Sequence, residues 1–178
     1  MESPDPELEE KATAILALYL NPPTNAAVFC VDEKTCIQAL DRRDPVLPLS
    51  PGRGERHGFE YVRHGTLSLY AALEVAIGRV RGKATERHAI DFLDFMDGLV
   101  SAEAADREIH VILDNQSTHK TKAVVAWLAE HSNVSFHYTP TYSSWLNQVE
   151  IWFSEIQHVA AQRSQEAYSY IASSETFH

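Results

Sequence analysis

A chain of 178 residues with 44% hydrophobic and 22% charged residues is long enough to bury a core without a disulfide or metal staple, and too apolar for wholesale disorder. No apolar run approaches the about 20 residues of a membrane helix, the acidic start (Glu2, Asp5, Glu7, Glu9, Glu10) is the reverse of a signal peptide, and Cys30 and Cys36 make no disulfide framework. A net charge of -10 argues against a nucleic-acid partner if spread evenly, and the whole composition predicts a soluble protein in a reducing, cytoplasmic setting with no membrane partner.

In chain order, Asp5-Pro6-Glu7 reads as a helix start, with a capping residue, Pro at the first helical position and acids in the first turn. That helix should run to about Leu20 and stop before Pro22-Pro23. Ala26 to Val31 is a short buried strand and Thr35 to Leu40 a second one. Residues 41–63, rich in Pro, Gly and Arg, read as a long loop, which is usually functional in a domain of this size. Thr66 to Ala76 and Arg79 to Lys83 form a strand pair turning near Gly78. Glu86 to Val100 has helical periodicity. Ile109 to Leu113 is a buried strand, Thr121 to His131 a helix, Val134 to Tyr138 a strand, and Trp145 to about Gln162 the last helix. The Ser- and Tyr-rich end shows no period. The chain thus divides into a helix and linker (1–25), a main domain (26–162) and an irregular tail (163–178). Consecutive early strands predict antiparallel pairing, and the later alternation predicts parallel crossovers. The expected fold is α/β, a mixed sheet flanked by helices.

The charge is uneven. Residues 41–87 carry nine basic and six acidic side chains, a net of +3. Arg53, Arg56, Arg63 and His64, on or beside the long loop, are therefore candidates for contact with phosphate. Lys120 and Lys122 are either further phosphate contacts or a solvated helix start.

Two strands end alike: Val28-Phe29-Cys30-Val31 runs into Asp32, and Val111-Ile112-Leu113 into Asp114. Groups at strand ends sit at the rim where α/β sheets bind ligands, although an Asp after a strand also serves as a plain turn residue. On a wheel of about 100° per residue, Trp145, Leu146, Val149, Trp152, Phe153 and Ile156 form one apolar stripe. Glu150 lies at its edge, either an ordinary boundary residue or a carboxylate reaching a cleft. Three convergent carboxylates would suit a hard divalent cation with oxygen ligands. Two such ions about 4 Å apart can clamp the attacking and leaving oxygens of a phosphoryl displacement. The nine histidines are scattered and no Cys pair has zinc spacing. No phosphate-cradling glycine loop and no nucleophile elbow is present. Trp127, Trp152 and Cys30 read as core.

The stretches Val31-Asp32-Glu33-Lys34-Thr35, Ile37-Gln38-Ala39-Leu40-Asp41-Arg42 and Arg63-His64-Gly65-Thr66 resemble the catalytic core of bacterial mariner-type insertion-sequence transposases. So do Leu113-Asp114-Asn115 with Thr118-His119-Lys120, and Ser144-Trp145-Leu146-Asn147 leading to Glu150. Thirty-five residues separate Asp114 from Glu150. The resemblance covers roughly residues 5–157. It implies a ribonuclease-H-like fold and a triad of Asp32, Asp114 and Glu150 that holds two Mg2+ (or Mn2+) ions. It also implies hydrolysis of a phosphodiester at a transposon end, followed by strand transfer into target DNA. Asn115 and His119 would support the site or merely cap the next helix. The implied partners are DNA, at transposon ends and target, and a second copy or a full-length transposase.

The chain departs from that pattern at both ends. No helix-turn-helix reader precedes the first catalytic strand, and after Gln157 the expected basic helix is replaced by His158-Val159-Ala160-Ala161 and the tail. The expectation is a catalytic-domain fragment. The competing readings are another nuclease of the same fold and a non-catalytic remnant acting through protein contacts.

Overall fold

The computed structural model describes residues 6–42, 61–85 and 91–162, with side chains for 6–35, 68–85 and 92–156. Five strands form one sheet: β1 (Ala26–Arg42), β2 (Tyr61–Glu74), β3 (Arg79–Thr85), β4 (Glu108–Leu113) and β5 (Val134–Tyr138). Their order is β3-β2-β1-β4-β5. β2 runs antiparallel to both β1 and β3, whereas β4 is parallel to both β1 and β5. Four helices flank the sheet: α1 (Leu8–Leu20), α2 (Asp91–Ser101), α3 (Lys122–Glu130) and α4 (Val149–Gln162). This is the expected mixed α/β architecture.

The sheet is buried on both faces, which is why its central strands read as unbroken apolar runs. Side chains alternate across it. Ala27, Phe29 and Val31 of β1 join Ile109, Val111 and Leu113 of β4 against Phe92, Phe95, Met96 and Leu99 of α2 and Val124 and Trp127 of α3. Val28, Cys30 and Ile112 face the other way, onto Ile15 and Leu18 of α1 and Val149 and Phe153 of α4. Trp127 is core, as expected, and its indole N–H finds Asp97 Oδ1 at 2.6 Å.

Several boundaries differ from the sequence reading. The two short strands expected over 26–31 and 35–40 are one strand, β1, with register shifts between Lys34 and Ile37 and between Gln38 and Leu40. The polar break at Asp32-Glu33-Lys34 does not end it, because β2 pairs with its backbone and is indifferent to side-chain polarity. The ends of the expected 41–63 loop are strand as well, with Leu40 opposite Arg63 and Arg42 opposite Tyr61. α1 begins at Leu8 after an N-cap Glu7 that makes no side-chain cap bond; the expected cap, Asp5, lies outside the described residues, as do 86–90 and the tail. The β2–β3 turn falls where expected, with Gly78 at φ +67°, a conformation that favours glycine.

A buried ion network ties the β2–β3 edge to the segment before β4. Glu103, its side chain 5% exposed, meets Arg81 at 2.7 Å and Arg107 at 2.5 Å, and Arg107 also reaches the equally buried Glu74 at 3.4 Å. Arg81 additionally lies 5.6 Å from the Phe29 ring centroid. Lys83 pairs with Asp94. Two cations of the basic middle segment are thus committed within the fold. Replacing Glu103 by Ala takes the carboxylate partner from Arg81 and one of two from Arg107. The expected cost is about 3 kcal/mol, read as a lower urea midpoint at unchanged m-value.

Candidate functional site

β1 keeps its parallel partner β4 only from Ala26 to Cys30, while its antiparallel partner β2 continues to Arg42. One edge of β1 is therefore released from pairing with β4 at the position where β4 gives way to Asp114. Asp32 sits in this notch on the α1/α4 face, two residues beyond Cys30. It is 8% exposed. Its Oδ1 accepts the Glu33 N–H at 2.7 Å. Burial is the main reason its carboxyl is pushed up to about 7. The Glu33 amide works against this, while the charges of Asp114 and Glu150 and a side-chain hydrogen bond to Glu150 add to it.

Asp114 follows the last residue of β4. Burial alone would raise its carboxyl, but hydrogen bonding and charge from His119 outweigh this and hold it below the usual carboxylate range. His119 Nδ1 lies 2.9 Å from Asp114 Oδ1. It belongs to a 3-10 turn, Ser117–Lys120. Its ring is buried against Phe92, centroids 4.7 Å apart, and its backbone carbonyl accepts the Tyr138 hydroxyl at 2.8 Å. Asn115 brackets the next loop, donating from Nδ2 to Thr141 Oγ1 at 3.3 Å and receiving Lys120 on its Oδ1. The Lys120 ammonium also lies 4.7 Å from the Tyr138 ring centroid.

Glu150 stands in the first turn of α4, where a negative charge is favoured by the helix dipole. The sequence reading began this helix at Trp145. Instead, Ser144–Leu146 is a 3-10 turn, Asn147 is extended at φ -89° and ψ 102°, and the helix proper begins at Val149. The break rotates Trp145 out of the apolar stripe, and it is 72% exposed. Leu146, Val149 and Phe153 are buried as expected, and Trp152 and Ile156 pack against them. The structure therefore brings Asp32, Asp114 and Glu150 together from two strands and a helix.

Residues 27–170 match the family described as DDE superfamily endonuclease. The chain belongs to this family. It is 28% identical over 107 residues to the insertion element IS630 uncharacterized 39 kDa protein of Shigella sonnei, a match covering 58% of this chain and 28% of that protein. Its fold is similar to the catalytic domain of Mos1 mariner transposase (TM-score 0.59, 14% identity, 98% of this chain and 85% of that one). It is likewise similar to the Mos1 mariner paired end complex with Mn (TM-score 0.62, 16% identity, 98% of this chain and 57% of that one). The Mos1 strand transfer complex gives a TM-score of 0.59 at 17% identity, covering 89% of this chain and 49% of that one. The chain thus spans about a quarter of the curated relative and roughly half of the longer transposase chains.

A DDE endonuclease site is expected to hold a divalent cation, and the donor set here fits one: all three convergent groups offer oxygen, which suits a hard ion. The raised Asp32 carboxyl is what such a site shows when no cation offsets its charge. Among the described residues, no group of three or more His, Cys, Asp or Glu side chains is closed to metal-holding geometry. Asp114 is engaged by His119. Arg53 and Arg56 lie outside the described residues. Arg63 and His64 lie on β2 rather than in a loop, with only their backbone described.

Sequence reasoning missed Tyr19, Asn147 and Thr141, whose partners lie 26 to 127 residues away. Asn147 falls on the far side of the helical wheel from the apolar stripe, so periodicity gave no sign of its burial. It also missed a pair among the scattered histidines: His110 Nδ1 and His137 Nε2 meet at 3.0 Å on adjacent strands, and burial holds His137 below its usual range.

The raised Asp32 carboxyl has a consequence for stability. Between the ordinary aspartate value of about 4 and about 7, the folded state binds this proton more tightly than the unfolded chain. Stability from this group is therefore lost as pH rises through that window. Asp114, shifted down, acts in the opposite sense at lower pH. The metal-free protein is expected to lose on the order of a few kcal/mol between about pH 4 and pH 7. Asp32→Asn should flatten most of that slope in urea unfolding measured at each pH.

Proposed function

We propose that this chain is the catalytic core of a DDE transposase, cutting and joining DNA phosphodiesters with Asp32, Asp114 and Glu150 as ligands for two Mg2+ (or Mn2+) ions. The observation that carries this reading is the buried Asp32 at the point where β1 leaves β4, with Asp114 and Glu150 near enough to act with burial in raising its carboxyl. Such a cluster is poorly stable by itself and becomes favourable once positive charge enters it. Bound ions of this kind lower the pKa of a water and stabilise charge on the attacking and leaving oxygens of an in-line displacement.

The chain's own residues supply the rest. Asp32 would give up its proton on becoming a ligand. His119 pairs with Asp114 and favours its charged form, the form a ligand needs. Asn115 and Lys120 form the adjoining rim, bracketed against Thr141 and Tyr138. There Lys120 is placed to meet a phosphate, and Arg53, Arg56, Arg63 and His64 are further proposed DNA contacts. The partners in this reading are transposon-end and target DNA, with a second copy or a full-length transposase, in the cytoplasm. Among the described residues no helix is long and apolar enough to cross a membrane.

The test combines Mn2+ calorimetry with plasmid nicking on the wild type, Asp114→Ala and His119→Ala. Wild-type binding and nicking are expected, with nicking lost by at least about a hundredfold in Asp114→Ala and reduced about tenfold in His119→Ala. No Mn2+ binding by a folded wild type would overturn the metal reading and leave a role in protein contacts. Nicking indifferent to transposon ends would favour another nuclease of the same fold.

A further inference from the structure

The third carboxylate, Glu150, stands on the helix that meets the sheet last. The corner leading into that helix is held by side chains far away in sequence. Asn147 is fully buried, and its Nδ2 donates to the Val31 carbonyl at 2.9 Å. Val31 directly precedes Asp32. The Asn147 carbonyl in turn accepts the Glu150 N–H at 3.1 Å. One residue therefore joins the backbone beside the first carboxylate to the backbone of the third. Its Oδ1 is buried with no hydrogen-bond partner among the described residues. An unpaired buried acceptor is costly, and such groups persist where a polar side chain has a task that an apolar one cannot do.

A second clamp acts one residue earlier. Tyr19 of α1 donates its hydroxyl to the Leu146 carbonyl at 2.5 Å. The same oxygen lies 3.2 Å from the Cys30 sulfur. Because the phenol proton is used on Leu146, the Cys30 thiol is the donor of that pair. The backbone amides of Gln148 and Val149, at the start of α4, also bear on Cys30. Cys30 lies on β1 two residues before Asp32 and on the same face. Both clamps thus run from the strand of Asp32 to the corner that launches Glu150. A broken helix start needs such anchors: the 3-10 turn and the extended Asn147 leave the corner without regular helical hydrogen bonds.

We propose that Asn147 and Tyr19 are positioning residues for Glu150, two side-chain clamps that hold the α4 corner against β1 and so set the third carboxylate opposite Asp32. The consequence for ion binding rests on the metal reading above, whereas the clamp itself does not. In this view α1 is part of the active-site scaffold, although it contributes no ligand.

The experiment compares the wild type, Tyr19→Phe, Asn147→Ala and a distant control, Ser101→Ala, which removes only an exposed hydroxyl bond to the Gly98 carbonyl at the end of α2. Tyr19→Phe keeps the ring and deletes one hydroxyl, so it reports even if Asn147→Ala fails to fold. Two readouts are taken: hydrogen exchange by mass spectrometry on metal-free protein, and Mn2+ affinity by calorimetry. In the clamp variants, exchange over residues 146–152 is expected to rise about five- to tenfold, with α2 and β4 unchanged. Mn2+ affinity is expected to fall about tenfold. The control should alter neither. Unchanged exchange over 146–152, or a rise shared equally by α2 and β4, would overturn the clamp. A local rise with wild-type Mn2+ affinity would overturn the positioning role. A local rise in a protein whose wild type binds no Mn2+ would support the clamp and sink the metal reading instead.

Discussion

The constraint on which this structure turns is the mutual repulsion of carboxylates gathered in a poorly hydrated notch. Asp32 is almost wholly buried, and Asp114 and Glu150 face it. Left to themselves, three such groups would separate or draw in water. The fold places Asp32 on β1, Asp114 just after β4 and Glu150 in the first turn of α4. Asp32 answers the residual charge with a carboxyl pushed up toward its neutral form, and Asp114 by pairing with His119. These are the two ordinary ways a protein tolerates buried acids, neutralisation and pairing.

The notch exists because of sheet topology. β1 is long and β4 is short, and their parallel pairing stops at Cys30. An antiparallel hairpin on the other edge carries β1 onward without help from β4. The mixed sheet therefore does what a purely parallel one would not: it supports a strand through the site while freeing one edge for side chains and ligands. The ion network of Glu103, Arg81, Arg107 and Glu74 stiffens the opposite end of the β2–β3 edge.

The terminal helices have unequal roles in this arrangement. α4 carries Glu150, while α1 supplies the Tyr19 hydroxyl that donates to the corner at Leu146. Ile15 and Leu18 of α1 join the same apolar cluster as Val149 and Phe153 of α4. Moving α1 would therefore disturb both the packing beneath Glu150 and the hydrogen bond at Leu146. The DDE fold is thereby continuous from the N-terminal helix to the third acid.

Much of this was legible in the amino-acid order. The apolar runs at 26–31 and 109–113, the hairpin at Gly78, the helix capped by Thr121 and the positions of Asp32, Asp114 and Glu150 all follow from local pattern, because hydrophobic periodicity and turn chemistry act over a few residues. Family resemblance added the order and spacing of the motifs. What only the tertiary structure decided depends on partners distant in sequence. β1 is one strand because β2 pairs across its polar break. α4 starts at Val149, and Trp145 is exposed, because Asn147 is drawn to Val31, 116 residues away. Arg81 is an internal ion-pair partner because Glu103 is folded beneath it. Sequence alone therefore determined which residues make elements and which acids are candidates for chemistry. The fold decided their protonation, their spacing and the clamps that hold them, because those depend on burial and on hydrogen bonds that exist only once the chain has closed on itself.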